Sequence, residues 1–109
     1  MIVPDDDFAA GIATKDTPGV IMPVVKQHKI ANYTSAAMRA KIQGDAAVQI
    51  VINAEGRVEK ARIVRSLDMS YGLDEEAIKA ALQWTFVPGT IDGRAVPVSA
   101  VIFVTFRLH

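Results

Sequence analysis

One stretch of the chain, residues 45–66, has the pattern of a β-hairpin and reads DAAVQIVINAEGRVEKARIVRS. In its first half apolar residues occupy every second position, which is typical of a strand with one buried face. Residues 53–56 form a turn signal that ends in Gly56, a residue free to take a positive φ. The second strand is predicted for residues 57–66, where a β-bulge at Glu59–Lys60 would restore the alternation. The alternating residues of the first strand are Val48, Ile50 and Ile52.

Helices are predicted on both sides of this hairpin. The first begins with a cap at Thr34 or Ser35 and continues through good helix formers to Gln43, with Gly44 as its left-handed end. The second follows the hairpin, because an apolar stripe at helical spacing accompanies three carboxylates that suit a first turn. The carboxylates are Asp74, Glu75 and Glu76, and the stripe contains Leu73, Ala77, Ile78, Ala81, Leu82 and Trp84.

The two ends of the chain differ in pattern. In residues 96–108 every second side chain is apolar without interruption, which predicts a long strand of about 40 Å. Residues 20–25 are apolar but contain Pro23, which restricts them to a short edge strand. Residues 1–19 have no period and are predicted to be a flexible lead-in or the remnant of a linker. The folded domain is therefore predicted to span residues 20–109.

These elements predict an α+β domain with two short helices packed on one face of a three-stranded antiparallel sheet. The second hairpin strand and the last strand are connected through one helix, so they should run parallel, with the first hairpin strand between them. The predicted order is strand 2, strand 1, strand 3, with a possible short extra strand at an N-terminal edge. The last strand would then be an edge with Val101 and Phe103 on its outer face, and such an edge pairs with other strands unless it is covered.

Composition limits the class of protein. The chain has 109 residues, which suits one domain, with no cysteine and a formal net charge of zero. It therefore has no disulfide framework and no general attraction to nucleic acid. The longest apolar run is shorter than the roughly 20 residues of a membrane helix, and the acidic cluster Asp5–Asp7 is unsuitable for a signal peptide. Residues 26–65 carry eight basic and three acidic side chains, which indicates either a solvated basic face or a site that attracts an acidic partner segment.

No catalytic or metal-binding group of residues stands out. His28 and His109 lack a second ligand at metal spacing, and the turn glycines stand apart from one another rather than forming a phosphate loop. The three carboxylates at residues 74–76 are explained by the start of a helix. We therefore expect that the protein is not an enzyme and has no cofactor and no metal site.

An ordered series of residues carries a family resemblance. Its members are Pro23, Tyr33, Gly44, Val48, Ile50, Ile52, Glu55, Gly56, Val58, Val64, Ser66, Leu73, Asp74, Ala77, Trp84, Phe86, Pro88, Gly93, Val96, Phe103 and Phe106. Together they resemble the C-terminal domain of TonB-family energy transducers over about residues 20–108. The chain departs from the common family pattern at Thr34, where members commonly have proline, and at Thr85, where they commonly have a basic residue.

The resemblance implies a non-catalytic periplasmic domain whose parent protein is anchored in the inner membrane and driven there by a proton-channel motor complex. It implies that the domain adds the N-terminal peptide of an outer-membrane TonB-dependent transporter beside its last strand, and so couples the proton motive force to uptake. Recognition of this kind depends on main-chain hydrogen bonds. The candidate partner-binding residues are Ser99, Val101, Phe103, Thr105 and Arg107 in the last strand, and Ala31, Asn32 and Tyr33 before the first helix.

A second hypothesis uses the same fold without a transporter. The domain could serve as a homodimerisation or sensor module of another envelope protein, with Val101 and Phe103 buried between two copies. The mass in solution and the genomic context of the parent protein distinguish the two hypotheses.

Overall fold

The structure is a computed structural model that describes residues 8–108. The helices within these residues are α1 (Ser35–Arg39) and α2 (Leu73–Ala81). The strands are β1 (Val20–Ile21), β2 (Val24–Gln27), β3 (Gly44–Ile52), β4 (Val58–Arg65), β5 (Thr85–Val87), β6 (Thr90–Ile91), β7 (Arg94–Ala95) and β8 (Val98–Phe106).

The largest sheet consists of the three long strands in the order β4-β3-β8, and both outer strands run antiparallel to β3. The pairing of β3 with β8 is continuous, from Gly44 opposite Phe106 to Ile52 opposite Val98. The pairing of β3 with β4 skips Glu59, which confirms the predicted β-bulge. Since β3 is central, β8 forms one edge of this sheet and β4 forms the other.

Five short strands form two further sheets, in which β2 pairs with β5 and β6 pairs with both β1 and β7. The predicted α+β class with two helices and antiparallel sheets is confirmed, but there are more strands and sheets than predicted. The additional strands have two to four residues, too few to show an alternating pattern. The predicted edge strand at residues 20–25 is divided at Met22–Pro23, and its two halves join different sheets. Asp92 and Gly93 both have positive φ, the geometry of a type I′ turn, and connect β6 to β7.

Helix α1 begins as predicted but ends early. The side-chain oxygen of Thr34 accepts a hydrogen bond of 3.1 Å from the amide of Ala37, so Thr34 is the N-terminal cap. The predicted end at Gln43 is wrong, because Lys41 takes the left-handed conformation (φ 58°) that the sequence pattern assigns to Gly44. Gly44 instead begins β3.

Two buried carboxylates position helix α2. Asp74, in the first turn, accepts hydrogen bonds from the amides of Leu67 and Asp68 at 3.0 and 3.1 Å. Asp68 in turn accepts a hydrogen bond of 3.2 Å from the amide of Leu73, the residue that begins the helix. Gly72, at the N-terminal cap, has no side chain to cap the helix. The loop and the helix therefore hold each other through these carboxylates.

The hydrophobic core lies between the two helices and one face of the main sheet. The even-numbered residues of β3 and the even-numbered residues near the end of β8 point into it. Tyr33, just before α1, packs edge to face on Phe106, with 5.5 Å between the ring centroids. The buried residues of this core are Ala37, Ala46, Val48, Ile50, Ile52, Leu73, Ala77, Ala81, Phe86, Val104 and Phe106.

The chain preceding β1 lies against the opposite face of the main sheet. The guanidinium of Arg62 in β4 lies 4.4 Å from the ring centroid of Phe8, and Ala13 forms a parallel bridge with Val98 at the start of β8. Residues 1–7, which belong to the predicted lead-in, lie outside the described residues. The domain boundary at residue 20 stays a prediction.

Candidate functional site

The edge of β8 offers unpaired backbone groups to a partner. The amide of Ser99 points away from β3, because it donates to the carbonyl oxygen of Ala13 instead. Antiparallel strands direct the backbone groups of alternate residues to the same side, and the β3–β8 pairing has no register shift. The amides and carbonyls of Val101, Phe103 and Thr105 must therefore point outward as well. Within residues 8–108, no segment donates or accepts a backbone hydrogen bond there.

Ser99 differs from the rest of this edge. Its amide is already 2.8 Å from the carbonyl oxygen of Ala13. Its hydroxyl oxygen accepts a hydrogen bond of 3.0 Å from the side-chain nitrogen of Gln49, and its side chain is buried. A partner strand can therefore pair at Ser99 only if Ala13 leaves. The part of the edge that is open for pairing begins at Val101.

The open part of the edge carries exposed apolar side chains. Val101 and Phe103 are 51% and 58% exposed, although both are large and hydrophobic. The hydroxyl of Thr105 donates a hydrogen bond of 2.7 Å to Asp45 on β3. Arg107 lies just past the end of β8 and is exposed, so it adds a positive charge where the strand ends. Exposed apolar groups on an unpaired edge are typical of an interaction site.

A groove runs beside this edge. It has a volume of about 220 Å³ and lies between the end of β8 and the segment 28–31. The indole nitrogen of Trp84 donates a hydrogen bond of 3.2 Å to the carbonyl oxygen of Lys29, and the ring packs edge-on against His28. Trp84 therefore holds this segment close to the strand without a backbone hydrogen bond between them.

The structure brings together some of the sequence-predicted site residues and separates others. Ala31 lines the groove together with Phe103 and Thr105. Asn32 lines a different, shallow cavity beside α2. The hydroxyl of Tyr33 donates a hydrogen bond to the carbonyl oxygen of Ile42, and its ring packs on the core. Tyr33 thus has a structural role in the isolated chain.

Several residues of the groove carry no recognisable signal in the sequence. The sequence pattern places Trp84 in the apolar stripe of the second helix, yet Trp84 lies beyond α2 and forms a wall of the groove. Ile30, which is 78% exposed, and Lys29 have no periodic pattern around them. The feature that marks the groove is an exposed isoleucine, Ile30, that lines it together with Trp84. This proximity is visible only in the folded chain. The positive charge of Lys29 suits an acidic residue on a partner segment.

A carboxylate of the described chain, that of Asp68, has a shifted pKa. Burial raises the pKa of Asp68, but hydrogen bonds from the amides of Ser70, Leu73 and Tyr71 outweigh it, so the pKa lies below its usual value. This carboxylate serves the loop before α2 and lies outside the groove. In residues 8–108 there is no group of three or more carboxylate or imidazole side chains that could hold a metal ion. Nor does any helix among these residues have the length and hydropathy needed to span a membrane.

Comparisons with known proteins agree on one family. A family model described as "Gram-negative bacterial TonB protein C-terminal" matches residues 30–108. Proteins named "Protein TonB" from two strains of Xanthomonas campestris pv. campestris are 30% identical over 77 residues, or 71% of this chain and 34% of each relative. The chain thus spans about a third of the length of these relatives. The solution NMR structure of the Pseudomonas aeruginosa TonB CTD superposes with a TM-score of 0.55 at 16% identity, over 92% of this chain and 99% of that chain, which shows a shared fold.

Proposed function

Because the chain belongs to the family of TonB protein C-terminal domains, we propose that it is the non-catalytic, partner-binding module of a TonB-like energy transducer. In this proposal the domain lies in the periplasm, and its parent protein is anchored in the inner membrane beside a proton-driven motor complex. Its partner is the N-terminal peptide of an outer-membrane TonB-dependent transporter. Binding of that peptide couples the proton motive force to uptake.

The observation that supports this proposal best is the open edge of β8 from Val101 to Thr105. Three residues with outward backbone groups can form up to six hydrogen bonds with an added strand, each worth about 1 kcal/mol net. Side chains that enter the groove beside Phe103 add apolar burial at roughly 25 cal/mol per Å². Together these terms are of the order of the 8 kcal/mol that correspond to micromolar binding. Backbone pairing also tolerates varied partner sequences.

The test distinguishes the contribution of the backbone amides of the edge to binding from that of its side chains. Val101→Pro removes an amide that points to solvent and leaves the β3–β8 hydrogen bonds in place, and proline is tolerated on edge strands. The matched control, Val101→Thr, keeps the amide and the β-branched shape. We expect a transporter N-terminal peptide to shift the amide resonances of Val101, Phe103 and Thr105. We expect about tenfold weaker binding by the proline variant and near-native binding by the threonine variant.

Two results would contradict the proposal. In one, the peptide shifts resonances elsewhere and leaves those of β8 unchanged. In the other, the proline variant binds as tightly as the parent chain, which would mean that the partner does not pair at this edge.

The exposed side chains of Val101 and Phe103 also support a second candidate, in which two copies of the domain pair through β8. This is the homodimerisation or sensor role. It predicts a mass that doubles with rising protein concentration, and Val101→Pro would then prevent the doubling. A mass that stays monomeric at high concentration rules this candidate out.

A further inference from the structure

The segment formed by residues 8–13, here called the strap, crosses the helix-free face of the main sheet. Lys60 on β4 and Ser99 on β8 lie on opposite sides of Val51 in the same row of the sheet. The strap contacts Lys60 at one end and Ser99 at the other. Val51 lies between these two contacts and is buried, although both helices of the described residues pack on the other face of the sheet.

The N-terminal end of the strap is held on β4 by the backbone and the ring of Phe8. The amino group of Lys60 donates a hydrogen bond of 3.1 Å to the carbonyl oxygen of Phe8. The same amino group lies 5.6 Å from the centroid of the Phe8 ring, and the guanidinium of Arg62 lies 4.4 Å from it. These contacts are near the surface.

The other end of the strap is held on the edge of β8. The carbonyl oxygen of Ala13 accepts the amide hydrogen of Ser99 at 2.8 Å, in a parallel bridge next to Val98. The chain then forms a turn, because the amide of Thr14 donates to the hydroxyl oxygen of Thr17 and the amide of Thr17 donates to the carbonyl oxygen of Thr14. Thr14, Lys15 and Asp16 line a cavity together with Ser99 and Val101. Among residues 8–108 the strap therefore makes one backbone hydrogen bond to the edge, and the backbone groups from Val101 to Thr105 have no backbone partner.

We propose that the strap is an intramolecular strand that competes with the partner for the edge of β8. While the strap is bound, an incoming strand can pair only from Val101 to Thr105. When it is released, the edge extends to Ser99, and the partner gains a further pair of backbone groups. Among the described residues, one backbone hydrogen bond at the edge and the contacts of Phe8 with Lys60 and Arg62 fasten it, whereas nine paired residues join β3 to β8. The competition with a partner rests on the proposed function, but the release of the strap does not.

The first experiment tests the strap alone, with the full chain and no partner. In Phe8→Ala, which removes the cation–π contacts, we expect the amide hydrogen of Ser99 to exchange with solvent about three- to fivefold faster. The amide of Ala100, which points toward β3, should keep its rate. Lys60→Met should act in the same direction. The control is Tyr71→Ala, an exposed aromatic residue before α2, which should leave Ser99 unchanged.

Unchanged exchange at Ser99 in both Phe8→Ala and Lys60→Met would overturn the proposal, and so would equal acceleration at Ala100.

The second experiment adds a transporter N-terminal peptide. If the peptide binds β8, we expect it to bind Phe8→Ala more tightly than the parent chain, by up to the same three- to fivefold factor, and equal affinities would refute the competition. If the peptide does not bind β8 at all, the proposed function fails. The exchange experiment then still shows whether the strap occupies the edge at Ser99.

Discussion

The carbonyl oxygen of Phe86 lies 2.0 Å from the position that a Cβ atom on Gly56 would occupy. The same two residues are also joined by a hydrogen bond, which the amide of Phe86 donates to the carbonyl oxygen of Gly56 at 2.8 Å. The turn of the β3–β4 hairpin is therefore in direct backbone contact with β5. Since β5 directly follows Trp84, this contact also supports the wall of the groove.

Gly56→Ala should destabilise the fold. The residue has a φ of 86°, where a side chain costs about 1 kcal/mol, and the new methyl group would push away the backbone of Phe86 and its hydrogen bond. We expect a loss of about 2–4 kcal/mol in the free energy of unfolding, measured by urea denaturation. Gly93→Ala is the matched control, because it has a φ of 77° and nothing within 4 Å. It should lose only about 1 kcal/mol, and equal losses would contradict the role of the contact.

Lys41→Gly should stabilise the fold. Lys41 ends α1 in the left-handed conformation, and its amide donates to the carbonyl oxygen of Met38 while the amide of Ile42 donates to that of Ala37. This is a Schellman ending, in which glycine is preferred. We expect a gain of about 0.5–1 kcal/mol in urea denaturation. Lys41→Ala keeps the left-handed penalty and should show no such gain.

Tyr33→Phe tests whether Tyr33 serves the fold or the partner. The hydroxyl of Tyr33 donates to the carbonyl oxygen of Ile42, so its removal leaves that acceptor without this donor. We expect a loss of about 1 kcal/mol of stability in urea denaturation, with peptide affinity unchanged. A large loss of affinity with native stability would instead place this hydroxyl in the binding site.

Asp68 should make the stability depend on pH in the acidic range. Its pKa is lower in the folded chain than the value of about 4 expected for an unfolded one, so folding favours the ionised form. This stabilisation is complete above about pH 4 and is lost as the pH falls through the folded pKa. Asp68→Asn should lower the stability at pH 7 and flatten its decline between about pH 4 and the folded pKa, as measured by urea denaturation across pH. Glu59→Gln, at an exposed position, is the control and should keep the slope.

Phe103→Ala should weaken partner binding without weakening the fold. The side chain is more than half exposed in the isolated domain, and burying a phenylalanine against a partner is worth about 1.5–3 kcal/mol. We expect tenfold or greater loss of peptide affinity by calorimetry, with the midpoint of urea unfolding unchanged. Val87→Ala is the control, because Val87 is similarly exposed but lies on β5. Similar losses in both variants would contradict a specific role for Phe103.

Much of the fold is visible in the sequence because its signals are local. The bulge at Glu59 and the cap at Thr34 each depend on a few neighbouring residues, and the structure contains both. The end of α1 is different, because the pattern favours Gly44 for the left-handed position, whereas Lys41 takes it and Gly44 begins β3. The short strands that pair across long stretches of chain, such as β2 with β5, leave no periodic signal.

The candidate site is only partly visible in the sequence. Alternation places Ser99, Val101 and Phe103 on the same side of the last strand, so it cannot show that the strap already occupies the first of them. The connection through one helix is enough to predict that the last strand is an edge, and alternation then places Val101 and Phe103 on its outer face. The groove, by contrast, depends on the distance between Trp84 and Lys29, which are far apart in the chain and meet only through the tertiary fold.

The placement of Phe8 has a mechanical consequence. Within residues 8–108, tension applied at Phe8 would load its contacts with Lys60 and Arg62 before the hydrogen bond at Ala13, and that bond before the ladder between β3 and β8. Contacts that are loaded one after another break one at a time, whereas the β3–β8 ladder distributes the force over many hydrogen bonds. A moderate force would thus detach the strap from the sheet while the β3–β8 pairing stays intact.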